Sequence, residues 1–367
     1  MSSQLLRIRR ARRTAVGPQS AALSRSRSFR WPRALRLLAV AGVACASAAC
    51  GSSSSGAGSG GSVTLNLVAY STPKSAYAKL IAAFQATPAG KHVSFTTSFG
   101  ASGQQAKSVI AGLPADVVNF SLTPDMNKLV SAGLVSSSWD TVGPAQGMVT
   151  DSTVVFVVRK GNPKHITTWA DLIKPGVKVV TPNPFSSGSA RWNLMAAYGA
   201  QLKLGKSPAQ ADAYLQALLK NTVSQPASAS DALAAFEAGT GDVLLDYEDD
   251  AIAAVRHGDP VQYVEPAQTI LIQNPIAVLK GSQHLAQAQA FVNFLLSSAG
   301  QELWAKEGYR PVVSSAAAAA GVTFQAPAQL FTIDSLGGWT SVESKFFDTT
   351  NGIITKIESG IGVSTSS

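Results

Sequence analysis

Two short segments of this 367-residue chain place small polar residues between a strand-like run and a helical pattern. One is SFGASGQQAKSVI, residues 98–110, and the other is TPNPFSSGSARWN, residues 181–193. The first backbone N–H groups of a helix have no intrahelical partner and carry about half a positive charge. Serine adds a hydroxyl donor, and glycine lets the backbone approach a ligand closely. Each segment is therefore typical of an anion-binding turn.

The composition of the two turns indicates which anion they would suit. Neither contains Asp or Glu. Sulfate carries no proton at neutral pH and only accepts hydrogen bonds, whereas hydrogen phosphate carries a proton that a carboxylate can accept. The turns therefore favour an unprotonated oxyanion. Serine is also a good helix N-cap without any ligand, so each turn taken alone has a purely structural interpretation as well.

Strand-like and helical segments alternate along most of the chain, which predicts parallel β-α-β units. Apolar strands are predicted at VTLNLVAY, HVSFTTSF and ADVVNFSL, with a helical pattern after each. About 300 residues follow Ser62, and one hydrophobic core rarely serves so many. We therefore expect two lobes, each carrying one of the turns. Ligands of open α/β sheets bind beyond the carboxyl ends of strands, so the turns would face each other across a cleft.

The formal net charge of +9 would suit a nucleic-acid-binding protein, but the location of that charge argues against one. Residues 1–50 contain ten Arg and no Lys, Asp or Glu. The remaining residues carry 20 basic and 21 acidic side chains, a net charge of −1. This part of the chain has no basic excess to bind a phosphate backbone. No nucleic-acid partner is expected.

The first fifty residues have the pattern of an export signal. An Arg-rich start precedes LLAVAGVACASAAC, a run too short to span a bilayer. We predict that residues 1–50 are a signal peptide and that it directs export through the general secretory pathway rather than the twin-arginine pathway. Cys50 follows Ser-Ala-Ala, which resembles the lipobox of bacterial lipoproteins, so a lipid anchor at Cys50 is expected, with simple cleavage and release as the alternative. The Gly/Ser tether over residues 51–62 would reach roughly 20 Å, enough to hold a folded domain away from a membrane surface. The export signal and the lipobox-like sequence together predict a protein on the outer side of the cell membrane or in the periplasm.

From about Leu65 to Gly338 the chain resembles the bacterial sulfate-binding proteins that serve ABC transporters. The runs that carry the resemblance are GASGQQAKSVIAGLPADVV, STVVFVVRKGNPKHI, WADLIKPGVKVVTPNPFSSGSARWN, GDVLLDYED, YRP and LFTIDSLGGW. The resemblance implies a type II periplasmic-binding-protein fold, in which two α/β lobes joined by crossover strands close over one dehydrated anion. We expect residues 63–150 in the first part of lobe 1, 151–265 in lobe 2, and 266–367 in the return to lobe 1 and a C-terminal tail.

The same resemblance implies a set of ligand-binding residues at strand ends and helix starts: Ser71, Ser102, Ser187, Gly188, Ser189, Ser228 and Tyr247. Ser228 would offer a third helix N-terminus. Three positions depart from the family, since Ser71 stands where Asp is common, Ser189 where Gly is usual, and Tyr247 where a Trp commonly donates its indole N–H. The resemblance further implies a monomer that captures sulfate and hands it to a membrane ABC permease, with thiosulfate, molybdate and phosphate as competing ligands.

Few features of the sequence favour an enzyme. The four His residues are not at metal-ligand spacing with one another or with Cys. The sequence contains neither the G-x-S-x-G nucleophile motif nor a phosphate loop ending in Gly-Lys-Ser/Thr. The acidic run at residues 248–250 is expected to be a solvated helix N-terminus, and Arg191 to be structural. We therefore expect no catalytic residue, metal or cofactor; the alternative is a hydrolase that uses the Ser turns as an oxyanion site.

Overall fold

The computed structural model describes residues 62–365, and its first third alternates strands and helices as predicted. The elements are β1 (Val63–Tyr70), α1 (Lys74–Gln85), β2 (Val93–Gly100), α2 (Ser102–Ile110), β3 (Val117–Asn119) and α3 (Thr123–Ser131). Strand β1 lies between β2 and β3 and pairs with both in parallel. Helix α1 carries apolar residues at helical spacing, so Tyr77, Leu80 and Phe84 pack together into the core of this sheet.

The middle of the chain builds a second set of strands with helices around it. Its elements are β4 (Met148–Arg159), α4 (Trp169–Leu172), β5 (Val179–Val180), α5 (Gly188–Lys203), α6 (Pro208–Lys220), β6 (Thr222–Ser224), α7 (Ala229–Glu237), β7 (Val243–Tyr247), α8 (Glu248–His257) and β8 (Val261–Val264). Strand β5 pairs in parallel with both β6 and β7. Both β5 and β7 are buried along their whole length, which suits their largely apolar sequences, although β7 also buries Asp246.

The remaining elements return to both sets of strands. They are β9 (Gln268–Val278), α9 (Leu285–Leu296), α10 (Ser298–Lys306), β10 (Arg310–Pro311), α11 (Ala316–Ala319), β11 (Gln329–Phe331), α12 (Gly338–Val342) and α13 (Ile353–Gly360). Helices α9 and α10 bury Phe291 and Trp304 in the core that contains β1 and α1. The tail after β11 instead packs Trp339 and Phe346 against α5. The pattern of the sequence left the path of this tail undetermined.

Two long strands, β4 and β9, join the two sets. The strand order is β2-β1-β3-β9-β4-β7-β5-β6. Strand β9 pairs antiparallel with β3 on one side and with β4 on the other, and β4 continues from β9 to β7. This is the predicted α/β fold with two lobes joined by crossover strands. The exact lobe boundaries, 63–150, 151–265 and 266–367, stay a prediction.

The export and anchoring predictions concern a different part of the chain. The predicted signal peptide, Cys50 and all of the tether up to residue 61 lie outside the residues that the structure describes. Within residues 62–365, no helix is both long enough and apolar enough to cross a membrane.

Candidate functional site

A small hollow lies where the carboxyl ends of β1 and β3 meet the N-termini of α2, α5 and α7. The gap between its walls is too narrow in this structure to admit a water molecule. The residues that line it are Tyr70, Ser71, Ala101, Ser102, Ser121, Ser187, Ser189 and Ala229. All of these side chains are neutral, and both predicted Ser/Gly turns contribute to the wall. The hollow therefore lies between the two lobes.

Two helices begin at this hollow without a side chain to cap them. The N-cap of α2 is Ala101 and that of α5 is Ser187, and neither side chain accepts a hydrogen bond from the first turn of its helix. Both residues are buried, so bulk water has little access to these helix ends. Two helix N-termini without a side-chain cap thus meet at one enclosed point, which favours an anion there.

The third helix start differs, because α7 is capped by its own residue. The Ser228 hydroxyl oxygen accepts the Asp231 N–H at 3.2 Å, and the hydroxyl donates to the Asp231 carboxylate at 2.7 Å. The residue of α7 that lines the hollow is Ala229. Ser228 therefore holds the start of α7 in place, and its hydroxyl is already occupied.

The hydroxyls of the predicted serines also differ in what they can still bind. Ser102 donates to the Asp125 carboxylate at 2.7 Å and accepts the Ser121 N–H at 3.0 Å, so its hydroxyl proton is in use. The hydroxyl oxygen of Ser71 accepts a backbone N–H from α7 at 3.4 Å. The hydroxyl of Ser189 is buried and has no partner among residues 62–365. Ser189 is therefore free to donate to a ligand in the hollow.

Gly188, the first residue of α5, is required by the contact between the lobes. A Cβ atom at this position would lie 2.6 Å from Leu122 Cδ2 and 2.8 Å from Ser121 Cβ, both on the other lobe. Real Cβ atoms do not approach other carbon atoms this closely. Glycine thus allows the start of α5 to lie directly against the end of β3.

Tyr247 does not line the hollow, but Ser121 does. The hydroxyls of these two residues are hydrogen-bonded at 2.6 Å. The Ser121 carbonyl accepts hydrogen bonds from Trp192 Nε1 at 2.8 Å and Asn274 Nδ2 at 3.0 Å. Sequence reasoning missed Ser121. The sequence does contain a signal for this residue. Ser121 comes just after β3, at the carboxyl end of a parallel strand, as Ser71 comes just after β1.

Direct hydrogen bonds join the lobes around the hollow. The Gly103 N–H at the start of α2 donates to the Ser186 carbonyl at 3.1 Å. The Trp192 indole N–H donates to the Ser121 carbonyl. Three serines at the hollow are at most 3% exposed: Ser102, Ser187 and Ser189. The structure therefore shows the two lobes closed over the hollow.

The acidic run at residues 248–250 is buried, so the expectation of a solvated helix N-terminus was wrong. Helix α8 begins against three other parts of the chain, which supply a donor to each carboxylate. The donors and distances are Arg310 Nε to Glu248 (2.6 Å), Ser152 Oγ to Asp249 (2.5 Å) and Thr72 Oγ1 to Asp250 (2.9 Å). The sequence pattern could not reveal this, because all three donors are distant in the chain.

Burial raises the pKa of the aspartates at the start of α8 and at the end of β7. It raises the pKa of Asp250 to about 7. Burial also raises the pKa of Asp246 and of Asp249 well above the usual range, and the neighbouring Asp250 acts in the same direction. A raised pKa keeps a carboxyl group neutral over a wider range of pH, and a neutral carboxyl group repels an anion less than a carboxylate does.

The raised pKa of Asp250 has a consequence for stability. An unfolded Asp has a pKa of about 3.9, so between about pH 4 and pH 7 the folded state holds a proton that the unfolded state has lost. The free energy of unfolding should therefore fall as pH rises through this window, by at most about 1.4 kcal/mol per pH unit for one group. We expect Asp250→Asn to reduce this slope, measured by chemical denaturation at several pH values. The exposed Asp140→Asn is the control, and equal slopes in both variants would contradict the prediction.

Arg191 is structural, as expected. Its guanidinium donates to both Glu343 carboxylate oxygens at 2.5 and 2.6 Å and to the Pro184 carbonyl at 2.8 Å. It holds the end of the second turn to the C-terminal tail and does not line the hollow. Across the described part of the chain, no group of His, Cys, Asp and Glu side chains could hold a metal ion.

Known proteins share this combination of fold and sequence. Residues 65–310 match the family described as bacterial extracellular solute-binding protein. A sulfate-binding protein of Synechococcus elongatus is 38% identical over 300 residues, which cover 78% of this chain and 84% of that protein. The chain belongs to the sulfate-binding family of bacterial extracellular solute-binding proteins.

Two more relatives of this solute-binding protein bear on its ligand. The solved structure of the sulfate-binding protein SubI from Mycobacterium tuberculosis H37Rv has a TM-score of 0.75 and 45% identity, and the match covers 78% of this chain and 100% of that one. A thiosulfate-binding protein of Pseudomonas aeruginosa is 33% identical over 294 residues, which cover 76% of this chain and 88% of that protein.

Proposed function

We propose that this protein binds sulfate in the hollow between its lobes and delivers it to a membrane ABC permease for import. The observation that carries the proposal is the meeting of two uncapped, buried helix N-termini at one hollow without a charged side chain in its wall. Such a site offers hydrogen-bond donors from the backbone and a partial positive charge from each helix. The relatives named as sulfate-binding proteins support the same ligand.

The predicted residues take different roles in this proposal. The first-turn amides at Ser102, Gly188 and Ser189 donate to the anion, together with the hydroxyl of Ser189. Ser71 and Ser187 complete the wall from the two lobes. Ser228 and Tyr247 act through other residues: Ser228 by fixing α7 and Tyr247 by holding Ser121. Each donor to a charged group contributes about 1.5–3 kcal/mol, so several together can offset the desolvation of a dianion.

Sulfate is favoured over hydrogen phosphate because the wall of the hollow lacks a carboxylate. The carboxylate of Asp125 lies behind Ser102, where it accepts hydrogen bonds from the Ser102 hydroxyl and from Lys128 Nζ at 2.7 Å each. Its oxygens are therefore engaged within the protein. A bound hydrogen phosphate would have to direct its proton at the serine hydroxyls or at backbone groups, which are weaker acceptors than a carboxylate.

Thiosulfate is the second candidate ligand, on the strength of the Pseudomonas aeruginosa relative. It is also an unprotonated dianion, but one terminal sulfur replaces an oxygen and accepts hydrogen bonds more weakly. Isothermal titration of the purified protein with sulfate, thiosulfate, molybdate and phosphate separates these candidates. We expect sulfate to bind most tightly. If one of the other three anions bound more tightly, it would replace sulfate as the proposed ligand. If none of the four oxyanions bound, the proposed function would be contradicted.

We also propose that the protein acts outside the cytoplasm, anchored to the outer side of the membrane by a lipid on Cys50. The family of extracellular solute-binding proteins supports the location, and the lipobox-like sequence before Cys50 supports the anchor. A lipid-anchored protein would fractionate with membranes, and Cys50→Ala would release it. Equal membrane association of both forms would contradict the anchor.

A further inference from the structure

Tyr70, the last residue of β1, belongs to the wall of the hollow and carries a second hydroxyl without a partner. The residue lines the hollow and is 2% exposed. Its hydroxyl is buried and makes no hydrogen bond with any group in residues 62–365. Buried polar atoms in folded proteins nearly always have a partner, so an unpaired hydroxyl beside a proposed anion site requires an explanation.

We propose that the Tyr70 hydroxyl donates a hydrogen bond to the bound sulfate. This inference rests on the proposed function and adds to it a donor that neither of the Ser/Gly turns supplies. Tyr70 belongs to the first lobe and precedes Ser71 in the wall of the hollow. The unpartnered hydroxyl of Ser189 lies in the same wall on the second lobe. A ligand held by both would therefore be held by both lobes.

The surroundings of Tyr70 keep its proton in place. Burial raises the pKa of the Tyr70 hydroxyl well above its usual range. At neutral pH the hydroxyl therefore keeps its proton and can donate a hydrogen bond. Tyr247 differs, although its ring centroid lies only 6.3 Å away, because its hydroxyl is committed to Ser121. Of these two tyrosines, Tyr70 is the one with a donor to offer.

A structural explanation competes with this one. Asp249 Oδ2 is also buried without a partner, and a water molecule could connect it to the Tyr70 hydroxyl. Tyr70 would then stabilise the fold and contribute nothing to the ligand. The two explanations predict opposite effects when the hydroxyl alone is removed, which Tyr70→Phe does with little change of shape.

The test compares Tyr70→Phe with the wild-type protein by titration with sulfate and by chemical denaturation without ligand. We expect the dissociation constant for sulfate to rise at least about tenfold, as for loss of a hydrogen bond to a charged group. The denaturation midpoint without ligand should not fall, because the hydroxyl removed has no partner there. Tyr214→Phe is the matched control, since its buried hydroxyl donates to the Trp169 carbonyl at 2.5 Å, away from the hollow. That variant should lose stability and bind sulfate as tightly as the wild type.

Each result decides for or against the inference. A tenfold weaker affinity with an unchanged or higher midpoint supports it. An unchanged affinity of Tyr70→Phe overturns it, whatever the midpoint does, and leaves the proposed function intact. A lower midpoint with unchanged affinity, the pattern expected of Tyr214→Phe, identifies the structural explanation. If the wild-type protein fails to bind sulfate, the proposed function fails, and this inference fails with it.

Discussion

Gly188→Asp is expected to abolish sulfate binding while the secondary structure is retained. The new side chain cannot fit in the closed protein, because its Cβ would lie 2.6 Å from Leu122 Cδ2 and 2.9 Å from the Ser121 hydroxyl oxygen. Its carboxylate would also stand at the helix N-terminus where the anion is proposed to bind. An unpaired buried charge costs about 3–5 kcal/mol, so we expect the affinity to fall at least about a hundredfold. Titration calorimetry measures the loss, and circular dichroism checks the fold.

Two further variants identify the cause of this loss. Gly188→Ala keeps the clash without the charge and should give a smaller decrease in affinity. Gly281→Asp is the matched control, because a Cβ at Gly281 would meet no atom within 4 Å. It should bind sulfate like the wild type. If Gly188→Asp bound sulfate as tightly as Gly281→Asp, the ligand could not lie at the start of α5.

Arg310→Met is expected to lower the free energy of unfolding by about 3–5 kcal/mol at pH 8. The Arg310 guanidinium contacts two buried carboxylates, Glu248 at 2.6 Å and Glu265 at 3.3 Å. Methionine retains much of the side-chain volume and removes the charge, so both carboxylates would lose their cation. Burial already raises the pKa of Glu265 to about 7 and raises that of Glu248. At pH 5 both groups can become neutral by binding a proton, and the loss should be smaller there.

The measurement is urea denaturation of Arg310→Met and the wild type at pH 5 and pH 8. Lys79→Met is the control, since Lys79 pairs with Glu307 at 2.7 Å but its side chain is 64% exposed. Exposed pairs contribute about 0–1 kcal/mol, so this variant should differ little from the wild type at either pH. Equal losses for the two variants would show that the buried network contributes no more than a surface pair.

Local features of the chain were predicted well from the sequence. The alternation of strands and helices was predicted because apolar periodicity is a local property. The two Ser/Gly turns were recognised because each helix start has the same unsatisfied N–H groups wherever it lies in the fold. The resemblance to the sulfate-binding family supplied the two-lobed arrangement that these local patterns alone left open.

The partners of individual side chains could not be predicted in this way. The acidic run at residues 248–250 looked solvated because its three donors are contributed by distant parts of the chain. Ser102 and Ser189 have similar local sequences, yet one hydroxyl is bound to Asp125 and the other has no partner. Tyr70 became a candidate only when the fold placed the residue in the wall of the hollow and left its hydroxyl without a partner.

The sequence by itself therefore determined where helix N-termini and small polar residues occur, because these depend on neighbours within a few positions. The tertiary structure decided which of them meet. It brought Ser102 and Ser187 to one hollow and placed Tyr247 behind Ser121. It also buried the carboxyl groups of α8 against donors from distant parts of the chain. These outcomes depend on how two lobes pack against each other, and burial and hydrogen bonding between lobes leave no periodic signal along the chain.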